Sequence, residues 1–285
     1  MKKILVTGSN GQLGSCLQDA ATNYLDWEFL FLDRTSLDIS NYKQLEALFQ
    51  TTPFDYCINA AAYTNVDGAE NDKENAFLGN ATAVQWLAEA CKKHSVTLLH
   101  ISTDYVFDGS KRSPYEEEDI VNPINVYGAS KLEGEKAIIE TLPQHYIVRT
   151  SWLYSQYGHN FMKSIARFAS EKEVLTITTE QTGCPTNAND LAEALLMMIA
   201  NDKKTYGIYH FSNAGVTTWF GFAKAIVEAL GVSEKVSVKP IDKYPTFAER
   251  PVYSVLNNNK INEYFGVKPI DWKESLNTLM AKQTI

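Results

Sequence analysis

Gly8-Ser9-Asn10-Gly11-Gln12-Leu13-Gly14 is the stretch of sequence that decides the fold of this chain. It follows a short apolar run at residues 4–6, which is typical of a buried strand, and it opens a helix predicted from Gln12 to about Tyr24. Glycines between a strand and a helix permit a tight turn, a close approach of backbone to pyrophosphate, and close helix packing. The free N–H groups of the helix N-terminus can bind phosphate. Gly8, Gly11 and Gly14 therefore predict a dinucleotide site.

Strand-like apolar runs alternate with amphipathic stretches through the first half of the chain. Further strands are predicted at residues 28–33, 55–61, 97–102 and 145–150. Helices are predicted at residues 40–50, with Ser40 as the N-cap, and at residues 74–94 and 125–142. This alternation predicts a parallel sheet with helices on both faces. The expected fold class is α/β, with a Rossmann-type doubly wound sheet.

The second half of the chain is less regular. Helices are predicted at residues 161–170, 190–200 and 219–230, and short strands at 174–178, 208–211 and 236–238. Five prolines between residues 185 and 269 divide this half into shorter pieces. We therefore expect a dinucleotide-binding domain at residues 1–150. Residues 151–285 are expected to form mainly a smaller α/β substrate-binding lobe, from which some segments return to the first domain.

Composition restricts the class of protein. The chain has 285 residues, 45% of them hydrophobic and 21% charged, which is typical of a globular protein. A net charge of −8 argues against a general binder of nucleic acid or of anionic membranes. The apolar start is too short for a signal peptide, and no run approaches a membrane span. The four cysteines are widely spaced, which argues against a zinc site and favours a reduced, cytoplasmic protein.

Tyr127-Gly-Ala-Ser-Lys131 carries the expected chemistry. Residues four apart on a helix lie on the same face, so the phenol and the ammonium are expected to be neighbours. A nearby ammonium favours the phenolate, so we expect the pKa of Tyr127 to fall toward neutrality. A phenol tuned in this way can exchange a proton with a substrate oxygen.

Candidate cofactor contacts follow the second and third strands. Asp33 can accept hydrogen bonds from ribose hydroxyls, whereas Arg34 could meet a 2′-phosphate, so the choice between NADH and NADPH stays open. Asp38 and Ile39 either bracket an adenine or begin a helix through an Asx turn. The small residues of the stretch 59–64 would let a cofactor lie against the backbone.

The end of the fourth strand offers two adjacent hydroxyls, Ser102 and Thr103. Because successive strand residues point to opposite faces, only one of them can face Tyr127. The acidic loop that follows, residues 108–122, is expected to be a solvated surface segment.

The chain resembles the dTDP-4-dehydrorhamnose reductase family of the extended short-chain dehydrogenase/reductases. The stretches Gly-Ser-Asn-Gly-Gln-Leu-Gly and Asn-Val-Tyr-Gly-Ala-Ser-Lys-Leu-Glu-Gly-Glu are shared with many sugar-nucleotide enzymes. Stretches more specific to the family are Thr103-Asp-Tyr-Val-Phe107 and residues 149–154, 181–186 and 250–256. Together they place the resemblance over nearly the whole chain.

The resemblance implies a role for each matching residue. The pyrophosphate would be contacted by Gly11, Gln12 and Leu13. The adenosine would be contacted by Asp33, Asp38 and Ile39. The end of the third strand would line the cofactor with Ala62, Tyr63 and Thr64. Tyr127 would be the proton donor, and Lys131 its partner on the nicotinamide ribose. The implied substrate contacts are Thr103 and Asp104 at the sugar, Trp152 as a flat surface, and Arg250 at the phosphates. On residues alone, Trp152 would be a core residue and Arg250 part of a surface salt bridge.

The activity implied is the NADPH- or NADH-dependent reduction of the C4 ketone of dTDP-4-dehydro-β-L-rhamnose to dTDP-L-rhamnose. This is the last step of dTDP-rhamnose biosynthesis, which supplies cell-surface polysaccharides. The resemblance allows a homodimer. Some family members dimerise through magnesium, but no ligands for it can be placed in this sequence, so no metal is predicted.

Three alternatives stay open. A 4,6-dehydratase has an Asp-Glu pair directly after the active-site threonine. Here Asp104 follows Thr103, but Tyr105 stands where the glutamate would be, which argues against dehydration. Another nucleotide-sugar 4-ketoreductase or a 4-epimerase is less strongly disfavoured, and an epimerase would consume no NADH. A non-catalytic subunit like the regulatory subunit of methionine adenosyltransferase is disfavoured by the intact Thr103, Tyr127 and Lys131.

Overall fold

The protein was analysed as a computed structural model, and the structure describes residues 1–282. A six-stranded, all-parallel sheet in the order β2-β1-β3-β4-β5-β10 forms its centre. Its strands, in chain order, are β1 (Lys2–Thr7), β2 (Trp27–Leu32), β3 (Tyr56–Asn59), β4 (Thr97–Thr103), β5 (His145–Thr150) and β10 (Gly207–His210). The shorter strands are β6 (Leu153–Tyr154), β7 (Val174–Thr178), β8 (Thr182–Gly183), β9 (Thr186–Asn187), β11 (Thr217–Thr218) and β12 (Ser237–Ile241).

Helices cover both faces of the central sheet. They are α1 (Gln12–Ala21), α2 (Tyr42–Thr51), α3 (Val66–Ala69), α4 (Lys73–Phe77), α5 (Ala83–Lys93), α6 (Val126–Thr141), α7 (Phe161–Glu171), α8 (Ala188–Asn201), α9 (Trp219–Ala229), α10 (Asn259–Phe265) and α11 (Trp272–Lys282). Alternate strand residues enter opposite cores: Ile4 and Val6 pack with α1 and α8, and Leu5 packs with α2 and α5. Burial on both faces explains the continuous apolar strands. The predicted doubly wound α/β fold is confirmed.

Two local predictions in the first half were wrong. Asn41, not Ser40, caps α2 by accepting a hydrogen bond from the Gln44 N–H, because the Ser40 hydroxyl is bonded to Asp38. The single helix predicted at residues 74–94 is α4 and α5 joined by a π-helical segment, Leu78–Thr82. The π segment brings Asn80 to face α6, where it enters the site described below.

Segments of the second half contribute to the central sheet. β10 pairs with β5, and α8 shares a core with α1 and β1. A separate apolar core joins α7, α9, α11 and the β7–β12 pair. The division at residue 150 stays a prediction, and the last three residues of the predicted lobe lie outside the described chain. Within residues 1–282, no helix is both long and apolar enough to cross a membrane.

The acidic loop at residues 108–122 is not simply solvated, so that expectation was wrong. Tyr115 and Glu117 are buried, and a Glu117 carboxylate oxygen accepts a hydrogen bond from the His210 N–H at 2.9 Å. Tyr115 stacks on Phe107, with ring centroids 4.1 Å apart. Burial raises the pKa of Glu117. The loop is therefore docked on the carboxyl ends of β4 and β10 by alternate inward side chains.

Candidate active site

The glycine turn has no room for side chains at two of its three glycines. Gly8 has a φ of +68°, and a Cβ there would lie 2.7 Å from the Ala61 nitrogen. A Cβ on Gly14 would lie 2.4 Å from the Gly8 carbonyl oxygen. These contacts bring α1 against β1 and leave the N-terminus of α1 open, because Gly11 provides no side-chain cap. The turn therefore fits a pyrophosphate, with N–H groups directed at it.

A dinucleotide cleft of about 460 Å³ begins at this turn. Its lining combines the turn with the ends of β2 and β3 and includes these predicted residues: Gly8, Gly11, Asp33, Arg34, Asp38, Ile39, Ala62 and Tyr63. Thr64 is exposed and lies outside this lining. Leu13 is buried in the core, and Gln12 turns toward the second half, where it donates to the Leu153 carbonyl at 3.2 Å.

The charged residues of the dinucleotide cleft are held in place locally. Hydrogen bonds from Thr35 and Ser36 lower the pKa of Asp33, so its carboxylate stays an acceptor. Arg34 is largely exposed and forms an ion pair with Asp38 at 3.4 Å. Asp38 also accepts from the Ser40 N–H at 2.9 Å, which is the Asx turn foreseen as one alternative. Both carboxylates can therefore face a ribose or an adenine while they order their own loops.

Asn80, which the sequence gave no reason to single out, ties this cleft to α6. Its amide pairs with the backbone of Tyr63 in both directions at 2.9 Å. Its amide nitrogen also lies 3.0 Å from the Ser130 hydroxyl oxygen. The approach is close because a Cβ on Gly134 would lie 2.1 Å from the Asn80 carbonyl oxygen. The wall of the dinucleotide cleft is thus fixed relative to the helix that carries Tyr127.

Tyr127 lies in the first turn of α6. Asn125 caps the helix by accepting from the Gly128 N–H at 2.7 Å. Gly128 lets the helix approach the segment after β4, since a Cβ would lie 2.2 Å from the Tyr105 carbonyl oxygen. Burial raises the pKa of Tyr127 to about 12, although the Thr103 hydroxyl acts in the opposite direction. The expected fall in this pKa was wrong, and Tyr127 is a protonated phenol at neutral pH.

Lys131 lies one turn after Tyr127 but is engaged elsewhere. Its amine nitrogen lies 2.7 Å from the Ile101 carbonyl oxygen and 3.1 Å from Nε2 of His100. No hydrogen bond joins Lys131 to Tyr127 within the described chain, and burial is the largest influence on the pKa of the phenol. Burial lowers the pKa of Lys131 to about 8, and the charge of Glu135 opposes this effect.

The two hydroxyls at the end of β4 point apart, as the strand geometry predicts. Ser102 donates to Glu135 at 2.5 Å, and Glu135 is in turn bound by Arg149 in a fully buried ion pair. Thr103 faces the Tyr127 side and donates to Asp104 at 3.1 Å. Asp104 is buried, which raises its pKa to about 7. Its second carboxylate oxygen is buried without a partner among residues 1–282.

A second and larger cleft, here called the Trp219 cleft, measures about 840 Å³. Residues far apart in sequence line it, among them Asp67, Gln181, Trp219, Tyr244, Phe247 and Arg250. Arg250 forms an ion pair with Asp67 at 3.0 Å, and its Nε atom is buried without a hydrogen-bond partner in the described part of the chain. The structure thus combines the expected arginine with an acidic partner that the sequence did not indicate.

Trp152 supports this cleft from behind. Its ring stacks on that of Trp219, with centroids 3.7 Å apart and planes 9° apart. Gly183 makes room for the ring, since a Cβ there would lie 2.7 Å from it. The flat surface that lines the cleft is accordingly Trp219, which the sequence did not single out. Trp152 reaches this position with a left-handed backbone, at a φ of +45°.

No group of three or more histidine, cysteine, aspartate or glutamate side chains in residues 1–282 is arranged to hold a metal ion. No metal ligand was predicted from the sequence, and nothing in the structure tests whether a metal is used between subunits.

Comparisons with known proteins identify the family to which this chain is similar. A sequence model described as "RmlD substrate binding domain" matches residues 1–285. The dTDP-4-dehydrorhamnose reductase of Aggregatibacter actinomycetemcomitans is 39% identical over 99% of both chains. A crystal structure of a dTDP-4-dehydrorhamnose reductase from Clostridium acetobutylicum is 37% identical and has a TM-score of 0.95, over 99% of this chain and 100% of that one. The enzyme of that name from Bacillus anthracis, in complex with NADP, is 36% identical over the same shares, with a TM-score of 0.94.

Proposed function

The chain belongs to the RmlD substrate-binding family, and from this premise we propose that it reduces the C4 ketone of dTDP-4-dehydro-β-L-rhamnose to dTDP-L-rhamnose with NADPH or NADH. One observation carries the proposal: a protonated phenol, Tyr127, lies beside the Thr103 hydroxyl at the carboxyl end of β4. In doubly wound sheets ligands bind beyond the carboxyl ends of the strands. The bond from Asn80 to Ser130 holds this phenol at a fixed place beside the dinucleotide cleft.

The dinucleotide would be held by the residues that line its cleft. Backbone N–H groups at the start of α1 would bind the pyrophosphate, and Asp33 would accept from ribose hydroxyls. When bound, the nicotinamide supplies the hydride.

Tyr127 supplies the proton. Its raised pKa keeps the phenol protonated at neutral pH, so the phenol can donate to the ketone oxygen as negative charge develops there. Thr103 can donate a second hydrogen bond to the same oxygen. The phenol of Tyr127 is in place before charge develops, whereas the Thr103 hydroxyl, which donates to Asp104 in the structure, would turn toward the ketone oxygen.

The Trp219 cleft would hold the nucleotide part of the substrate. Trp219 offers an aromatic face that is backed by Trp152, and Arg250 offers a guanidinium that matches phosphate oxygens in a bidentate manner. The orphaned Nε of Arg250 supports this assignment, because a buried donor without a partner is costly unless a ligand satisfies it.

Tyr105 favours reduction over dehydration. It occupies the position after Asp104, it is buried, and its ring meets the Tyr127 ring edge-on at 5.9 Å. Burial raises its pKa, so it cannot serve as a base at neutral pH in the way a glutamate would.

The decisive experiment follows the oxidation of NADPH and NADH in the presence of dTDP-4-dehydrorhamnose, with the UDP and GDP analogues in parallel. We expect stoichiometric oxidation that depends on the sugar nucleotide and is fastest with the dTDP sugar. Interconversion of sugars without net oxidation would instead identify an epimerase. The absence of both, together with co-purification of a second polypeptide, would favour a non-catalytic subunit.

The setting of this activity is also part of the proposal. The four cysteines are buried free thiols, which supports a reducing, cytoplasmic location. We further propose a homodimer and a role in supplying rhamnose for cell-surface polysaccharide. Light scattering on the purified protein tests the first, and loss of surface rhamnose after gene disruption tests the second.

A further inference from the structure

Residues 248–250, here called the Arg250 segment, are held by hydrogen bonds from the first half of the chain. The Asp67 carboxylate on α3 accepts from the Ala248 N–H at 3.0 Å with one oxygen. Its other oxygen accepts from the Arg250 guanidinium, also at 3.0 Å. The two ends of the segment are therefore tied to the same side chain.

Asn125 holds the residue between these ends. Its Nδ2 group donates to the Glu249 carbonyl at 2.8 Å, while its Oδ1 atom accepts from the Gly128 N–H at 2.7 Å and so caps α6. A backbone carbonyl only accepts and a backbone N–H only donates, so a flipped amide would lose both bonds. The side chain is 7% exposed, which protects both bonds from water. One amide thus joins the Arg250 segment to the first turn of α6.

A third contact closes a ring between α3, α6 and the Arg250 segment. The Val126 N–H, one of the free donors at the start of α6, donates to the Glu70 carboxylate at the end of α3 at 2.8 Å. Tyr105 lies between two sides of this ring: its own ring meets that of Tyr127 edge-on at 5.9 Å. Burial raises the pKa of Tyr105, and the nearby charge of Arg250 opposes this rise. The phenol of Tyr127 and the guanidinium of Arg250 are therefore parts of one hydrogen-bonded frame.

We propose that Asn125 is a positioning residue that fixes the distance between Arg250 and the phenol of Tyr127. The inference rests on the proposed function, in which Arg250 binds the diphosphate and Tyr127 protonates the C4 oxygen of the same substrate. The diphosphate is attached to C1, across the sugar ring from C4. A substrate held at its phosphates therefore presents C4 to the phenol only if the two protein groups keep a set separation. Binding energy from the phosphates can then be used to orient the ketone.

Helix capping alone does not account for an asparagine at this position. Serine and aspartate cap helices about as well as asparagine does. Only an amide combines an acceptor for the Gly128 N–H with a donor for the Glu249 carbonyl. Asn41 provides the comparison, because it caps α2 by accepting from the Gln44 N–H at 3.3 Å but is exposed.

The test compares turnover with affinity for the phosphates, in the full-length protein. Asn125→Ser keeps a cap for α6, removes the donor to Glu249 and adds no charge. With NADPH and dTDP-4-dehydrorhamnose, kcat should fall by about tenfold to a hundredfold, because the ketone is no longer held against Tyr127. The dissociation constant of dTDP, which has the phosphates but no ketone, should stay near the wild-type value, because Asp67 still holds Arg250. An unchanged kcat would overturn the proposal, and so would an equal loss of dTDP binding, which would indicate a general loss of structure.

Two further variants complete this comparison. Asn125→Asp keeps the shape and the cap but sets a carboxylate oxygen against the Glu249 carbonyl, so it should show the same loss of kcat. It decides the question if Asn125→Ser does not fold. Asn41→Ser makes the same exchange at the start of α2 and should leave both kcat and dTDP binding unchanged. A loss of kcat in Asn41→Ser equal to that in Asn125→Ser would assign the effect to capping and overturn the proposal.

A double-mutant cycle tests whether Asn125 acts through the Arg250 segment. If it does, Asn125→Ser should reduce kcat/KM less in an Arg250→Lys background than in wild type, because the phosphates are already held less firmly. Equal reductions in the two backgrounds would overturn the proposal. Activity of the wild-type protein supports the reductase assignment however these variants behave. A wild type that does not oxidise NADPH with this sugar would instead refute the reductase assignment, and the inference with it.

Discussion

The dinucleotide cleft and the Trp219 cleft are built in opposite ways. Glycine backbone, small side chains and residues directly after β1, β2 and β3 form the first. Large aromatic rings and an ion pair between residues 183 positions apart, Asp67 and Arg250, form the second. The first depends on room for backbone, and the second on particular side chains meeting across the fold. Mutations that fill space should damage the first, and mutations that remove one functional group should damage the second.

The largest effect is expected on α6, the helix that carries Tyr127. Tyr127→Phe removes the proton donor and keeps the ring, so kcat should fall by about 10³-fold. The dissociation constant for NADPH should stay within about threefold of wild type, because most of the contacts proposed for the cofactor line the dinucleotide cleft and the aromatic ring is kept. Steady-state kinetics and fluorescence titration measure the two quantities.

Tyr154→Phe is the matched control for this change. Tyr154 is also buried, but it packs in the separate apolar core of the second half. Its variant should keep a normal kcat, whereas near-normal turnover in Tyr127→Phe would refute the catalytic assignment.

The second prediction concerns space in the dinucleotide cleft. In Gly14→Ala the new Cβ would be 2.4 Å from the Gly8 carbonyl oxygen and 2.6 Å from the Ser9 Cα, and neither backbone atom can yield cheaply. We expect a loss of about 3 kcal/mol in the free energy of unfolding and weaker NADPH binding. Gly79→Ala, in the same cleft, would meet only Tyr63 at 3.6 Å and should be neutral or stabilising. Equal unfolding midpoints for the two variants would mean that the glycine turn does not depend on the lack of space at Gly14.

The same distinction explains what the sequence could predict. Strand β5 and strand β7 were predicted to the residue, because each is a local apolar run. The glycine turn directly follows β1, and Asp33 and Asp38 follow β2, so they can be identified from local sequence patterns alone. Asn80 was not identified as a site residue, because no local sequence pattern distinguishes a π-helical segment from an α-helix.

The Trp219 cleft was much less predictable. Arg250 was singled out through a family resemblance, but its partner Asp67 lies in a short helix of the first half. Trp219, which lines the cleft, was assigned to a helix without a role, whereas Trp152, which was expected to offer a flat surface near the substrate, stacks on Trp219 and is not among the lining residues. Tertiary packing decides which of two stacked rings faces a ligand, and packing is not encoded in local periodicity.

The third prediction concerns Arg250→Lys, which replaces the planar guanidinium by an ammonium and so keeps the positive charge. A lysine cannot bind two phosphate oxygens in parallel, and hydrogen bonds to charged groups are worth about 1.5–3 kcal/mol. In Arg250→Lys the KM for the dTDP sugar should therefore rise by roughly tenfold to a hundredfold. The NADPH dissociation constant should not change. Arg112→Lys, in an exposed position of the docked loop, is the control, and an unchanged KM in Arg250→Lys would remove Arg250 from the substrate site.

The smallest effect is expected at Asp104, and it appears as a pH dependence of stability. Burial raises the pKa of this carboxyl to about 7, so the folded protein holds a proton that the unfolded chain has already lost above its ordinary value near 3.8. The contribution of Asp104 to stability is therefore greatest at low pH, falls as the pH rises through this window, and is constant above about pH 7.

Asp104→Asn removes that ionisation and keeps the shape of the side chain. Between pH 6 and pH 8 the variant should gain about 1 kcal/mol of unfolding free energy relative to wild type, because about one pKa unit of the window remains above pH 6. Urea unfolding at the two pH values measures this gain. Asp33→Asn, in the dinucleotide cleft, is the control: the pKa of that exposed carboxylate is lowered, so the stability of this variant relative to wild type should not change over the same pH interval. A flat difference for Asp104→Asn would mean that its buried oxygen is stabilised by a partner and that the carboxyl holds no proton at pH 6.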